Sequence, residues 1–210
     1  MGVVKLSTAA ILDYQKYSSA LAGNTPYSPI PPSAYDLLET EILTGSQSSV
    51  TFSNLNSTYG ADYQHLQIRY VVRDDRPTNA SIMFFRVNGT AGNNYTSHML
   101  YGNGSTVAPA TWVGTSTPFI GWTASNTSAA NSYGAGVLDI LDAFETTKNK
   151  TWRCFSGVTD ATWVSLASGF FHGAASGSPL AAIDSITLYQ ETSNNFVSGS
   201  RFSLYGLKAA

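Results

Sequence analysis

The chain has 210 residues, of which 43% are apolar and only 11% charged, with a formal net charge of −2. The apolar share is enough for one substantial core, while the charged share is well below the usual quarter, so Ser, Thr, Asn and Gly fill the polar positions. A weakly negative chain without a basic stripe excludes nucleic acid as the expected partner, and no run of about 20 apolar residues reads as a membrane span.

Residues 1–33 differ in character from the rest of the chain. Leu6, Ala9, Ala10 and Asp13 or Tyr14 fall on one side of a short helix capped by Ser7 or Thr8, and Gly23 stops it. Pro26, Pro29, Pro31 and Pro32 then disfavour both helix and inner strand, which predicts an extended segment. No sustained apolar stretch with a cleavage site follows Lys5, so this region is read as an arm and not a signal peptide.

From Ser33 onward the apolar period is two. Strands are expected over 35–43, 49–55, 65–73, 82–87, 95–101, 136–144, 151–158, 164–172, 183–191 and 201–208, with turn residues between them. The clearest is 65–73, with Leu66, Ile68, Tyr70 and Val72 inward and Gln67, Arg69 and Arg73 outward. Turn chemistry falls where runs expire, at Asp74–Pro77, Asn88–Gly89 and Gly102–Gly104. Residues 105–133 read as a loose middle rich in Ser, Thr and Asn that carries Trp112, Pro118, Phe119 and Trp122. The run 135–144 has a helical alternative in Leu138, Leu141 and Phe144, but Gly134, Gly136 and the flanking strands favour a strand. The last two runs, joined through Asn194, Asn195 and Gly199, form either a hairpin or strands of different sheets. The pattern is that of an all-β, antiparallel, jelly-roll-like β-sandwich over 34–210, preceded by an extended N-terminal arm over 1–33.

Chemistry-bearing clusters are few. His65, His98 and His172 show no metal-ligand spacing, and Asp74, Asp75 and Asp184 lack the dense oxygen spacing of a calcium loop, so no metal and no cofactor is expected. Gly114-Thr-Ser-Thr-Pro118 lacks the final glycine of a nucleophile elbow, and Gly102-x-Gly104 opens no helix. Cys154 is the single cysteine, and its strand-like surroundings suit a small buried residue. Asn-x-Ser/Thr triplets, such as those at Asn56, Asn88, Asn94, Asn103, Asn126 and Asn149, follow from composition. The aromatic content suits a ligand: flat rings stack on sugar faces while amides and hydroxyls bond the sugar oxygens. Trp152 and Trp163, inside or beside strands, are read as core. Trp112 and Trp122, with Asn103 and Ser105 of the neighbouring turn, are the candidate ligand-binding residues.

Several phrases carry a resemblance. Ser198-Gly-Ser-Arg-Phe-Ser-Leu-Tyr-Gly-Leu207, Tyr35-Asp-Leu-Leu-Glu-Thr40, Ser49-Val-Thr-Phe-Ser53, the block from Tyr63 to Asp74, Phe85-Arg-Val-Asn-Gly89 and Asn94-Tyr-Thr-Ser-His98 together resemble a family of tailed-bacteriophage virion proteins, over about Ser33 to Lys208. The resemblance implies a jelly-roll or carbohydrate-binding-like sandwich, a location in the virion and a tail, tail-fibre or receptor-binding role, with no catalytic motif to carry over. The expectation is a non-enzymatic structural virion protein that assembles as a homo-oligomer, with a trimer as the implied state, and contacts host-surface polysaccharide. Capsid or tail decoration without a receptor role is the alternative. An envelope-glycan hydrolase or esterase is the remaining class, for which neither paired carboxylates nor a triad is visible. The arm, through Leu6, Leu12, Tyr14, Tyr17, Pro29 and Pro31, is the expected attachment to other virion proteins. Deleting residues 1–32 should leave a domain that still melts cooperatively by circular dichroism but no longer incorporates into particles; loss of the cooperative melt would place the arm in the core.

Overall fold

The computed structural model describes residues 35–158, 160, 162–172 and 181–208. The expected arm and its residues Leu6, Leu12, Tyr14, Tyr17, Pro29 and Pro31 lie outside that set. Among the described residues twelve strands run in the order β1 (Tyr35–Ile42), β2 (Ser49–Ser53), β3 (His65–Val72), β4 (Ala80–Val87), β5 (Tyr95–Gly102), β6 (Val107–Thr115), β7 (Phe119–Ala124), β8 (Gly134–Leu141), β9 (Lys150–Val158), β10 (Trp163–Phe171), β11 (Ser185–Gln190) and β12 (Arg201–Leu207). One short helix, α1 (Leu55–Tyr59), comes after β2. The strands form two antiparallel sheets, a large one ordered β1-β12-β3-β8-β9-β10-β5-β6 and a small one ordered β2-β11-β4-β7. The expected all-β sandwich is therefore present.

The chain alternates between the layers. β1, β3, β8 and β12 belong to the large sheet, β2, β4, β7 and β11 to the small one, and the pairs β5–β6 and β9–β10 widen the large sheet. The last two runs thus lie in different sheets. Ile186 and Leu188 of β11 and Phe202 and Leu204 of β12 are all fully buried, so both point into the space between the layers. The polar connection between them turns through left-handed Thr192, Ser193 and Gly199.

Alternation fixes what faces the core. Leu66, Ile68, Tyr70 and Val72 of β3 are buried as their spacing predicts, against Leu138 and Ile140 of β8, Trp152 of β9 and, from the small sheet, Met83, Phe85, Ile186 and Leu188. Each such side chain contributes about 1.5–3 kcal/mol by leaving water. Gln67 points outward as expected, yet only 4% of it is exposed: its amide donates to Asp139 (2.6 Å) and its oxygen accepts from Arg69 (2.7 Å). The 135–144 run is a strand, β8, only as far as Leu141; left-handed Asp142, with φ 50°, then breaks the ladder and 142–144 form a turn.

Two expectations are corrected. The run ending at Leu55 stops as a strand at Ser53, because left-handed Asn54 opens α1 and tucks Leu55 into the core. The loose middle holds two strands, β6 and β7. Pro109, Gly114 and Pro118 made it read as loop, but β6 is an edge strand, where a missing N–H costs no ladder bond, and β7 is buried on both faces and so shows no alternation.

Tyr70 makes a close contact between the sheets. Its hydroxyl donates to the Ile120 carbonyl of β7 at 3.3 Å and lies 3.6 Å from Cys154 Sγ, which is itself buried as expected. Gly136, opposite Tyr70 on β8, and Gly121, on β7 of the other sheet, make the room: a Cβ at either would stand 2.2 Å from the tyrosine oxygen. Gly136→Val should therefore destabilise the domain by about 3 kcal/mol or more, the upper range for overpacking, whereas Tyr70→Phe should cost about 1 kcal/mol, that of one buried hydrogen bond. Urea midpoints measure both, and a Gly136→Val variant as stable as wild type would show that the sheets can separate here at no cost.

Candidate functional site

β1 pairs with β12 so that Leu43 N–H bonds the Ser200 carbonyl and the Thr40 hydroxyl donates to the Ser203 hydroxyl. The antiparallel pairing means that the chain enters β1 and leaves β12 at the same end of the sandwich. The opposite, distal end carries the β3–β4, β5–β6, β7–β8 and β9–β10 connections. Recognition loops on sandwiches cluster at such ends, held by the sheets beneath.

These connections are tied to one another. In the β5–β6 turn Asn103 Oδ1 accepts from the N–H of Ser105 (3.2 Å) and of Thr106 (2.8 Å) and from the Ser105 hydroxyl, with Gly104 supplying a φ of 87°. The Thr162 hydroxyl at the end of the β9–β10 turn donates to the Asn103 carbonyl at 2.8 Å. Asp160 of that turn accepts from Ala129 N–H at 2.6 Å, joining it to the β7–β8 connection. Arg73, at the end of β3, holds the connection from below. Its guanidinium donates to the carbonyls of Ala129 and Ser132 through one terminal nitrogen and of Asn126 and Ser128 through the other, at 2.8–3.1 Å. Charged donors to carbonyls make strong bonds, and four on one rigid group set the course of the loop.

From this end a row of aromatic rings runs down one side of the sandwich toward the other end. Tyr101 of β5 lies 5.5 Å from Trp163 of β10, and Trp163 stacks on Trp122 of β7 at 4.3 Å. Trp122 meets Phe119 edge-on at 5.7 Å, and Phe119 stacks on Trp112 of β6 at 5.6 Å. β6 and β7 are each an edge strand of their sheet, so the row lies along one side of the sandwich. Phe119 is fully buried; Tyr101, Trp112, Trp122 and Trp163 are each partly exposed. Trp152 is core as read, 5.3 Å from Phe85, whereas Trp163 belongs to the row. Of the four candidate ligand residues, Asn103 and Ser105 share one turn at the distal end and Trp112 and Trp122 share the row. Sequence reasoning missed Tyr101, Trp163 and Arg73. Tyr101 and Trp163 sit at strand ends, where an aromatic ring serves core and surface alike, and Arg73 bonds carbonyls more than 50 residues away.

No group of three or more His, Cys, Asp or Glu side chains suited to a metal occurs among the described residues. His65 accepts the Asp142 N–H at 2.9 Å, and His98 bonds the Thr111 hydroxyl on the outer face of the large sheet. Among the described residues one carboxylate is fully buried. Asp74, just past β3, takes hydrogen bonds from the Ser81 and Thr123 hydroxyls (2.8 Å for Thr123) and from Arg76 N–H (3.1 Å). The Gln190 amide, with its nitrogen turned inward, donates to Asp74 and to the Ile82 carbonyl, both at 3.1 Å. Burial pushes the Asp74 carboxyl above its ordinary range, against the pull of the Thr123 and Arg76 bonds. A carboxyl raised by folding contributes stability below its unfolded pKa and loses it as pH rises through the folded value. Relative to Asp74→Asn, wild type should thus gain stability as pH falls from 7 toward about 4, the unfolded value; urea midpoints that run parallel across that window would contradict this.

No protein-family model matches the chain, and neither does any curated protein or solved structure.

Proposed function

We propose that the chain is a non-enzymatic structural protein of a tailed-phage particle, a tail-fibre or tail-associated β-sandwich that presents its distal end and aromatic row to host-surface polysaccharide. The observation that carries this is the polarity of the fold. Chain entry and exit share one end, while the interlocked turns at Asn103, Thr162 and Ala129 lie at the other, with Tyr101, Trp163 and Trp122 beside them. Such a layout lets one end be attached and the other offered to a ligand. Partly exposed rings beside amides and hydroxyls are the chemistry that sugars take.

Two further features support the reading. Three of the phrases that resemble phage virion proteins are neighbours in the large sheet: Ser198–Leu207 contains β12, and its sheet neighbours β3 and β1 come from the blocks at 63–74 and 35–40. Without the β5–β6 and β9–β10 pairs, the sheets read β1-β12-β3-β8 and β2-β11-β4-β7, an order that supports the jelly-roll reading if those pairs are taken as added hairpins. Decoration of capsid or tail without a receptor role is the second reading, favoured by the apolar outer face of the large sheet.

Because Trp112 and Trp122 pack against the core, alanine there should cost about 3 kcal/mol of stability and so would not isolate binding. Trp122→Phe keeps an aromatic ring between Trp163 and Phe119, and Ser105→Trp adds bulk at an exposed turn. Each should leave the melting temperature within a few degrees of wild type and weaken adsorption to host cells or retention on a glycan array about tenfold or more, the loss of one anchor contact. Wild-type adsorption by both variants would leave decoration as the surviving reading.

A further inference from the structure

We infer that the outer face of the large sheet is a self-association surface, on which a second copy of this chain packs about a two-fold axis running between β9 and β10. The ladder places one apolar row across five strands of this face. Val137 of β8 stands opposite Phe155 of β9, Phe155 opposite Leu166 of β10, Leu166 opposite Leu100 of β5, and Leu100 opposite Pro109 of β6. A parallel row toward the distal end carries Ala135, Gly157, Val164, Gly102 and Val107.

These side chains are open to solvent in the isolated chain: Phe155 is 55% exposed, Leu166 56%, Leu100 50%, Val164 45% and Val107 72%. Their exposed portions join into a patch on the order of 500 Å², near the top of what an isolated soluble protein carries, and with its polar border they approach the roughly 800 Å² that each partner gives to a standard interface. A shallow hollow lined by Val137, Asp139, Arg153, Phe155 and Leu166 sits within it.

The polar row next to the apolar one decides the occupant. It reads Asp139, Arg153, Ser168, His98 and Thr111 across β8, β9, β10, β5 and β6, with Arg153 bonded to Asp139 at 2.9 Å. An axis parallel to the strands between β9 and β10 maps each row onto itself with left and right exchanged. Phe155 then meets the second copy's Leu166, and Val137 meets its Leu100. Arg153 faces Ser168, and Asp139 faces His98. No two like charges oppose one another, and small residues such as Gly157 and Ala135 face Val164 and Gly102. A face that complements itself under this operation is what an isologous contact requires, and aligned sheet-on-sheet packing is its ordinary geometry.

The test uses the full chain. Sedimentation velocity between about 1 and 100 μM should show reversible dimers or an even-numbered assembly. Leu166→Glu and, independently, Leu100→Lys should weaken association about thirtyfold or more, the loss of a hot-spot anchor, while leaving the thermal melt of the domain in place. The axis has its own readout. Equimolar Phe155→Cys and Leu166→Cys variants, mixed and oxidised, should cross-link to each other more readily than either does to itself, since the native Cys154 is buried. A wild-type monomer at 100 μM, a trimer indifferent to both charge substitutions, or cross-linking without preference for the mixed pair would each overturn the proposal.

Discussion

The spacing of the two sheets rests on a ring that has to be accommodated from both sides. Tyr70 projects from the large sheet into the gap, and only the absence of side chains at Gly136 beside it and Gly121 across from it lets its hydroxyl reach the Ile120 carbonyl. Packed sheets lie about 10 Å apart, a distance that ordinary aliphatic side chains span by interdigitating. Here Tyr70 reaches across it to a backbone carbonyl of the facing sheet, among the other buried side chains of the layer. Ser156 and Ser165 bond each other at 2.8 Å beside it, and Phe85, Trp152 and Tyr95 meet edge to face farther along the same gap. Tyr95 ties its own hydroxyl to Val87 N–H at 2.9 Å, and burial raises its pKa to about 12, so it stays neutral in the core.

Much of this was legible in the sequence because a half-buried strand writes its orientation in every second residue. β3 shows it best, with Leu66, Ile68, Tyr70 and Val72 buried in turn. The same rule failed for β7, where Phe119, Ile120, Thr123 and Ala124 are all buried and the period vanishes. It failed for β6 for the opposite reason: a strand whose inner face is Ala108, Ala110 and Trp112, interrupted by Pro109, carries too little apolar contrast. The candidate site was legible only in part. Asn103 and Ser105 announce a turn, but that Asn103 is bound by Thr162 and that Arg73 holds the Asn126–Ser132 loop depend on partners brought close by sheet order alone.

The scarcity of charge follows from the same architecture. Outer-face positions are occupied largely by hydroxyls, amides and apolar groups; of the ion pairs present, Arg153 with Asp139 ties the neighbouring strands β9 and β8, and Arg76 with Glu191 ties connections distant in sequence. Exposed pairs of this kind add at most about 1 kcal/mol each, so the fold draws its stability mainly from the inter-sheet layer. A surface of this composition is wet but weakly charged, suited to neutral ligands and to contact with copies of itself.

Cys154 gives the molecule a reporter that needs no engineering. The thiol lies between the layers, 3% exposed, against the Tyr70 hydroxyl, and burial pushes its pKa up to about 12, so it is neither reachable nor ionised while the sheets stay together. An alkylating reagent can modify it only during excursions that part the β9 and β7 layers. The rate of modification, followed over denaturant or temperature, therefore counts those excursions directly, and distinguishes fraying of the outer hairpins, which leaves the thiol silent, from opening of the sandwich itself.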